Sequence, residues 1–358
     1  MRIERIDPAD GDVVLACHAV HVAAVAVDDP DGEPPDSLRM LRAWLAPGWQ
    51  GEPNEAWYVP ADGDADSDGD GDAGNDAGPE GRRPPGRRGA AAAWYRIQYP
   101  DLENRNRAFL TLEVHPRFRR RGLGRALVTH ASLRAAAEGR TFLDGQTMQG
   151  SAGDAFARRL GAEPGILDAR RIIDLRAAPA GRFAELKAEA AAHAAGYSLT
   201  SWTGVTPEDK LAQVAAVQNA MNDAPREEGW FEDDIWDADR IRVRADTRVR
   251  LAAHRGYAVA AVHDDTGEMA ALTKVLIDPA EPAWGHQGIT AVTRPHRGHR
   301  LGLLTKAAML EWLAAAEPGL ERIATTNAEV NSHMIAVNEA LGYRLAEPGH
   351  RFFALPVS

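Results

Sequence analysis

Apolar residues along this chain alternate between short β-like runs and longer stretches with helical spacing, and the whole order is run through twice. In the first half, residues 2–6 read as a strand and residues 13–27 and 37–45 as helices. Residues 56–59 and 90–99 form the arms of a hairpin, and residues 109–114 a buried strand. A helix follows over about 122–138 and stops at Gly139, a residue suited to the left-handed end of a helix. Residues 141–143 and 172–175 supply later strands, with a short helix at 154–160 between them. Residues 182–195 make an alanine-rich helical connector. The order then restarts with a strand at 197–202 and a helix at 207–221, Thr206 as its N-cap and Pro207 in its first position. A hairpin over 257–263 and 270–276 turns at Asp265-Thr-Gly-Glu268. A buried strand at 287–292, a helix at 301–316, a strand at 323–326, a helix at 331–341 and a strand at 351–356 complete the chain. Strands alternating with helices, twice over, predict two α/β (α+β) units of similar plan. The expected division is 1–178, a connector at 179–196, and 197–358.

Composition narrows the picture without changing it. A chain of 358 residues favours two domains at roughly 150 residues each, and an apolar share of 44% is ordinary for globular cores. One cysteine, Cys17, allows no intramolecular disulfide and fits a reducing compartment. No His/Cys or His/Asp cluster has ligand spacing, so no metal is expected. The apolar run at 13–27 is broken by His18 and His21 and preceded by Asp10 and Asp12, which makes it too short and polar for a membrane span and unlike a signal peptide. Cytoplasmic location is the default expectation, with no membrane partner. A net charge of −11 argues against a nucleic-acid partner. Residues 61–89 are an Asp/Gly- and then Arg/Pro-rich insert that cannot bury enough apolar surface to offset its ordering entropy, so it is expected to be disordered. Its Asp66-Ser-Asp-Gly-Asp-Gly71 imitates a calcium loop but has Ala77 where the bidentate glutamate belongs.

The chemistry is concentrated in two basic loops. Val114-His-Pro-Arg-Phe-Arg-Arg-Arg-Gly-Leu-Gly124 has a distorted copy 178 residues later, Val292-Thr-Arg-Pro-His-Arg-Gly-His-Arg-Leu-Gly302. Each leaves a strand, crosses a basic turn and enters a helix, a junction that aims several backbone N–H groups and a positive helix end at one place. Arginine adds fixed charge and forked donors that match phosphate oxygens. Val114, Arg119, Arg120, Arg121, Gly122, Leu123 and Gly124 in one half, and Arg297, Gly298, His299, Arg300, Leu301 and Gly302 in the other, are therefore the candidate cofactor-binding residues. Neither an ATP-type glycine–lysine loop nor a dinucleotide fingerprint is present.

The Arg-x-x-Gly-x-Gly at Arg119, Gly122 and Gly124, after a valine-ended strand, resembles the pyrophosphate-binding signature of the GNAT (N-acetyltransferase) superfamily. Residues 326–343 resemble the later motif of that family, with Asn331 matching the asparagine that contacts the pantetheine arm. The likeness spans nearly the whole chain as two copies, similar in plan to mycothiol synthase and other tandem members. It implies two splayed, mixed sheets flanked by helices, acetyl-CoA as co-substrate, and transfer of an acetyl group to the amine of a small molecule by a monomer or homodimer. Two departures stand out. Arg300 replaces the first glycine of the second signature, where an arginine with helical φ/ψ is expected to fit. In the first half the later motif has decayed, with Gly150 and Ala157 standing where Asn331 and Asn338 stand, so the second half is the expected catalyst.

Acetyl transfer to an amine needs a base, an N–H at the thioester oxygen and an acid for the leaving thiolate. His286 is the candidate base, its alternative being an ordinary half-buried histidine at a strand entrance. Backbone N–H groups of Ala291 and Val292 are the implied thioester donors. Asn338 occupies the place where many relatives carry an acidic tyrosine, and an amide can hydrogen-bond sulfur without giving it a proton. Tyr343 is expected to pack in the core. Acceptor contacts are expected from residues 219–231, including Asn219, Met221, Asp223, Trp230 and Phe231, with Asp223 or the Glu232-Asp233-Asp234 run as an attractor for a cation. The competing readings are a CoA-binding protein without turnover, and transfer to an oxygen or thiol acceptor.

Overall fold

The computed structural model describes residues 1–61, 89–223 and 230–357; residues 62–88, nearly all of the expected disordered insert, and residues 224–229 lie outside that set. The first half runs β1 (Glu4–Arg5), α1 (Gly11–Asp28), α2 (Leu38–Leu45), β2 (Asn54–Pro60), β3 (Ala91–Gln98), β4 (Arg107–Val114), α3 (Leu123–Ala137), β5 (Phe142–Met148), α4 (Ala152–Arg159) and β6 (Glu163–Asp174). After α5 (Arg182–Ala191) come β7 (Tyr197–Thr203), α6 (Leu211–Asn219), α7 (Ala238–Arg244), α8 (Thr247–Ala252), β8 (Arg255–His263), β9 (Met269–Ile277), β10 (Trp284–Val292), α9 (Leu301–Ala316), β11 (Arg322–Ala328), α10 (Ser332–Leu341) and β12 (Arg344–Pro356).

Local chemistry accounts for many of these boundaries. Asp10 caps α1 by accepting from the Val13 N–H, and Ser37 caps α2 through the Met40 N–H. Gly342, at φ 101°, ends α10 in the left-handed region. One expected cap is not made. Thr206 gives its N–H and hydroxyl proton to Asp246 and accepts from Lys274, so its side chain is spent on an ion pair. Pro207 stays extended, and the helix is entered through a 3-10 turn at Glu208–Lys210. Helix α1 has the length and composition of a membrane span, yet it lies on the sheet with Val13, Val14, Cys17 and Val20 buried against Trp94.

Among the described residues, all twelve strands form one sheet in the order β1-β2-β3-β4-β5-β12-β6-β11-β10-β9-β8-β7. Only two neighbouring pairs among the described residues are parallel, β4–β5 and β10–β11. The two halves meet by exchange: β12, from the end of the chain, pairs with β5 of the first half, and β6 of the first half pairs with β11. Strands β6 and β12 also pair with each other at the centre. Helix α3 covers one half through Leu127 and Ala131 against Tyr95, Ile97 and Leu143, and α9 covers the other through Leu310 and Leu313 against Val259, Ile277 and Ile323. Each such aliphatic side chain contributes roughly 1.5–3 kcal/mol of burial. The expected fold class is thus found: mixed α/β, in two similar splayed units.

Candidate active site

Each half carries a pair of parallel strands that part after three residues. Strands β4 and β5 pair at Arg107–Phe142, Ala108–Leu143 and Phe109–Asp144, and β10 and β11 at Trp284–Arg322, Gly285–Ile323 and His286–Ala324. Beyond those points, β9 holds β10 as far as Val292 and β6 holds β11 as far as Ala328, so a wedge opens between them. In β10 the register against β9 shifts between Gln287 and Thr290, a bulge that β4 lacks. The Thr293 N–H bonds to the Ala270 carbonyl at 2.9 Å. Alternation along an antiparallel strand then turns the Ala291 N–H toward β9 and the Val292 N–H into the wedge. Of the two expected thioester donors, Val292 alone faces the gap; Ala291 is committed to the ladder.

The basic loops share one backbone design. Left-handed residues stand at Arg120 and Gly122 in the first loop and at Gly298 and Arg300 in the second. Arg300, at φ 53°, is therefore left-handed, and the expectation of ordinary helical geometry there is corrected. The mixed signature works because both loops need two left-handed residues and each places its glycine at a different one. In α9 the first N–H with a backbone acceptor is that of Leu304, to the Arg300 carbonyl; in α3 it is Ala126, to Gly122. Those of Gly298 to Leu303 have no backbone acceptor among the described residues, and they lie at a positive helix end. A Cβ on Gly298 would meet nothing within 4 Å and one on Gly302 only a Val292 methyl at 3.7 Å. This set fits a diphosphate.

The arginine that opens each signature does something the sequence did not reveal. Arg119 donates from Nε to the Val114 carbonyl and from both terminal nitrogens to Asp28 at 2.7 Å. Arg297 repeats this with the Val292 carbonyl at 3.2 Å and Asp223 at 2.8 Å. Both brace the loop against the helix segment before it. Asp223, considered above as an attractor for a cation, is this brace and also pairs with Arg294. Arg300 reaches Glu189 on α5 at 2.7 Å, the His299 ring lies 5.3 Å from that of Tyr197, Arg121 covers the Phe118 ring, and Leu301 is buried. Leu123 and Gly124 begin α3, where a Cβ on Gly124 would come within 3.2 Å of the Phe156 ring.

His286 sits at the fork of the second wedge, 30% exposed, with Nδ1 2.9 Å from Glu33 of the first half. Burial raises the Glu33 carboxyl, but the hydrogen bond and charge of His286, with Arg170 and His350, hold it below its usual value. Burial and the Arg170 charge push His350 down. Asn331 is half-buried and caps α10 through the Met334 N–H, leaving its amide nitrogen free to donate. Asn338 is fully buried: its oxygen accepts from Lys306 Nζ at 2.7 Å and its nitrogen donates to Asn327 at 2.7 Å. Lys306 lies 4.6 Å above the Tyr343 ring, and burial pushes its ammonium down to about 7. Tyr343 is in the core, as expected.

The matching place in the first half is filled. Phe231 packs on Phe109 and Phe352, and the Arg107 guanidinium lies over the rings of Phe142, Trp230 and Phe231 while it pairs with the buried Asp144. Trp230 and Phe231, expected to line the second half's pocket, have crossed to the first. Asn219 is spent on the Trp236 backbone, and Glu232 on Asn104. Sequence reasoning also missed Glu33 and Lys306. The lysine was detectable, since it shares the buried helical face of Gly302, Met309, Leu310 and Leu313. Glu33 had no local signal.

Residues 86–161 match the acetyltransferase (GNAT) family. A tandem GNAT protein from the clavulanic acid biosynthesis pathway, solved without AcCoA, is 27% identical with a TM-score of 0.74, covering 100% of this chain and 98% of that one. The GCN5-related N-acetyltransferase from Sphaerobacter thermophilus is 18% identical, TM-score 0.58, with 99% and 95% covered. The glucosamine N-acetyltransferase region of a fungal multi-domain GH3 β-N-acetylglucosaminidase is 13% identical, TM-score 0.59, with 99% and 38% covered. The last two bear on the fold alone. No curated protein matches the sequence. Residues 86–161 thus carry the family's sequence pattern, and the chain as a whole, with its two splayed strand pairs, has the fold of a tandem GNAT protein, which supports acyl transfer in general terms.

Proposed function

We propose that this chain moves an acetyl group from acetyl-CoA directly to the amine of a small molecule, and that the second half carries the chemistry. The supporting observation is the β10–β11 wedge, with free loop N–H groups at its mouth and His286 at its fork. The first-half wedge, occupied by Phe231 and narrowed by Phe156 beside Gly124, is a poorer host for an acceptor. Bound acetyl-CoA supplies the activated acetyl group; transfer forms a C–N bond, breaks the C–S bond with its electron pair going to sulfur, and sheds two protons from the ammonium. His286 Nε2 takes the first of these, freeing the nitrogen lone pair. The Val292 N–H stabilises the charge on the carbonyl oxygen. The loop from Arg297 to Gly302 holds the diphosphate, and Asn331 meets the pantetheine arm. Asn338, expected at the sulfur, is instead buried between Lys306 and Asn327 and protonates nothing, so one proton ends on the thiol from solvent and the other leaves to buffer.

The test is thiol release from acetyl-CoA with a panel of amines. Turnover above background should fall on the order of 10²-fold in His286→Ala and be weakened in Arg297→Ala, where the loop loses its brace. Tight CoA binding without release across the panel would instead mean a binding protein, and release only with alcohols or thiols would move the acceptor class.

A further inference from the structure

The segment at residues 29–36, between α1 and α2, leaves the first half and lies over the second-half site. Asp29 pairs with Arg170 of β6 through two bonds, Arg170 Nη2 to Oδ1 at 3.0 Å being one of them. At the other end, the Asp36 N–H donates to His21 Nε2 at 2.9 Å, its carbonyl meets His18 Nε2, and Ser37 donates to Asp278 at 2.6 Å. A Cβ on Gly32 would fall within 2.2 Å of the Asp29 carboxylate, so the first anchor requires glycine. Glu33 is thus carried to His286 on a strap fastened on both sides.

We propose that Glu33 is a positioning residue for His286, so that the acceptor site of the second half is completed by the first. By accepting the Nδ1 proton, its carboxylate keeps the neutral ring in the tautomer with a bare Nε2, turned to the substrate side. The charged groups around the pair are Arg170 with Asp29, His350, and His254 with Asp278. Arg170 is held by Asp29 and His350 is pushed down by burial, which leaves Glu33 as the group bonded to the ring. Trp230 and Phe231 cross in the opposite direction and bring only aromatic bulk to the first-half fork, where Phe109, in the last parallel pair, stands at the position of His286.

This role rests on the proposed reaction for its purpose but not for its first test. In 15N-labelled protein, with His286→Ala giving the assignment, the wild-type ring should carry its proton on Nδ1 at alkaline pH, and Glu33→Ala should lose that preference. An unchanged tautomer ends the proposal whether or not the protein turns over. If wild-type releases thiol, Glu33→Ala should lower kcat on the order of tenfold or more with the KM for acetyl-CoA unchanged, and move the acidic limb of the rate profile to lower pH. Glu33→Gln, which keeps an acceptor oxygen without the charge, should recover part of kcat while leaving that limb displaced. In the His286→Ala background, Glu33→Ala should cost nothing more. A Glu33→Ala protein that melts earlier but keeps its pH profile, and whose effect multiplies with that of His286→Ala, makes the pair a structural tie. No thiol release from wild-type with a Glu33-dependent tautomer would fail the proposed reaction alone.

Discussion

An ammonium group enclosed between α9 and α10 must be stabilised by its neighbours or give up its proton. Lys306 has Asn338 Oδ1 at 2.7 Å and the face of Tyr343, and burial depresses it from 10.5 to about 7. Unfolded, the same lysine keeps its proton up to about 10. Between about pH 7 and 10 the unfolded chain therefore binds more protons, and stability rises with pH. The penalty for charging Lys306 is absent above that window and complete below it, at roughly 5 kcal/mol. Lys306→Met removes it and leaves Asn338 without a donor, at a pH-independent cost of about 1–3 kcal/mol. Denaturant unfolding at pH 6 and pH 9.5 should show the variant gaining on wild-type at acid pH and falling behind at alkaline pH. Parallel stability curves would mean that the lysine stays charged throughout.

At the scale of elements, the proposed reaction makes α10 join folding to cofactor binding through a single side chain. The Asn331 oxygen caps the helix and its nitrogen is left to donate, so two substitutions separate the cap from the proposed contact. Asn331→Asp keeps a capping oxygen, suits the positive helix end and should leave stability unchanged; Asn331→Ala should cost about 1 kcal/mol. Both lack the amide donor and should raise the KM for acetyl-CoA together. Equal stability losses would deny the cap, and an unchanged KM in both would deny the contact. Elements of this kind were legible because their signals are local: Ser37 before α2, Gly342 after α10, alternating apolar runs in the hairpins. Helices α7 and α8 were not, since Arg-rich turns capped at Asp237 and entered at left-handed Asp246 have little apolar periodicity. Strand β12 begins at Arg344 and so runs through Pro348 and Gly349, residues that read as a turn. The loops were visible as a repeat, but the partners of Arg119 and Arg297 lie 91 and 74 residues away, beyond any local pattern.

At the scale of the whole molecule, the exchange of β6 and β12 makes each half depend on the other. Residues from His350 to Pro356 satisfy the β5 backbone from Met148 to Phe142, and β11 relies on β6 from Asp168 to Asp174. Cutting the chain at the expected boundary leaves residues 1–178 with the open edge of β5 and both edges of β6 exposed. Strands β5 and β6 are both antiparallel to β12, hence parallel to each other with one strand missing between them, and the native spacing leaves that gap open. Unpaired edges of that length invite pairing with other chains. Residues 1–178 expressed alone should therefore aggregate or self-associate, and residues 179–358 likewise. Co-expressed as separate chains, they should yield a soluble one-to-one complex, detectable by size-exclusion chromatography with light scattering. The intact protein should unfold in a single calorimetric transition, because neither half of the sheet is complete without the other. Two soluble, monomeric fragments, each with its own melting transition, would show that the central strands add contact without being required. The same exchange sets β6, with Arg170 on it, beside β11, where Arg170 anchors the strap that carries Glu33. Residues 179–358 folded alone should then still lack that strap, and with it the carboxylate at His286.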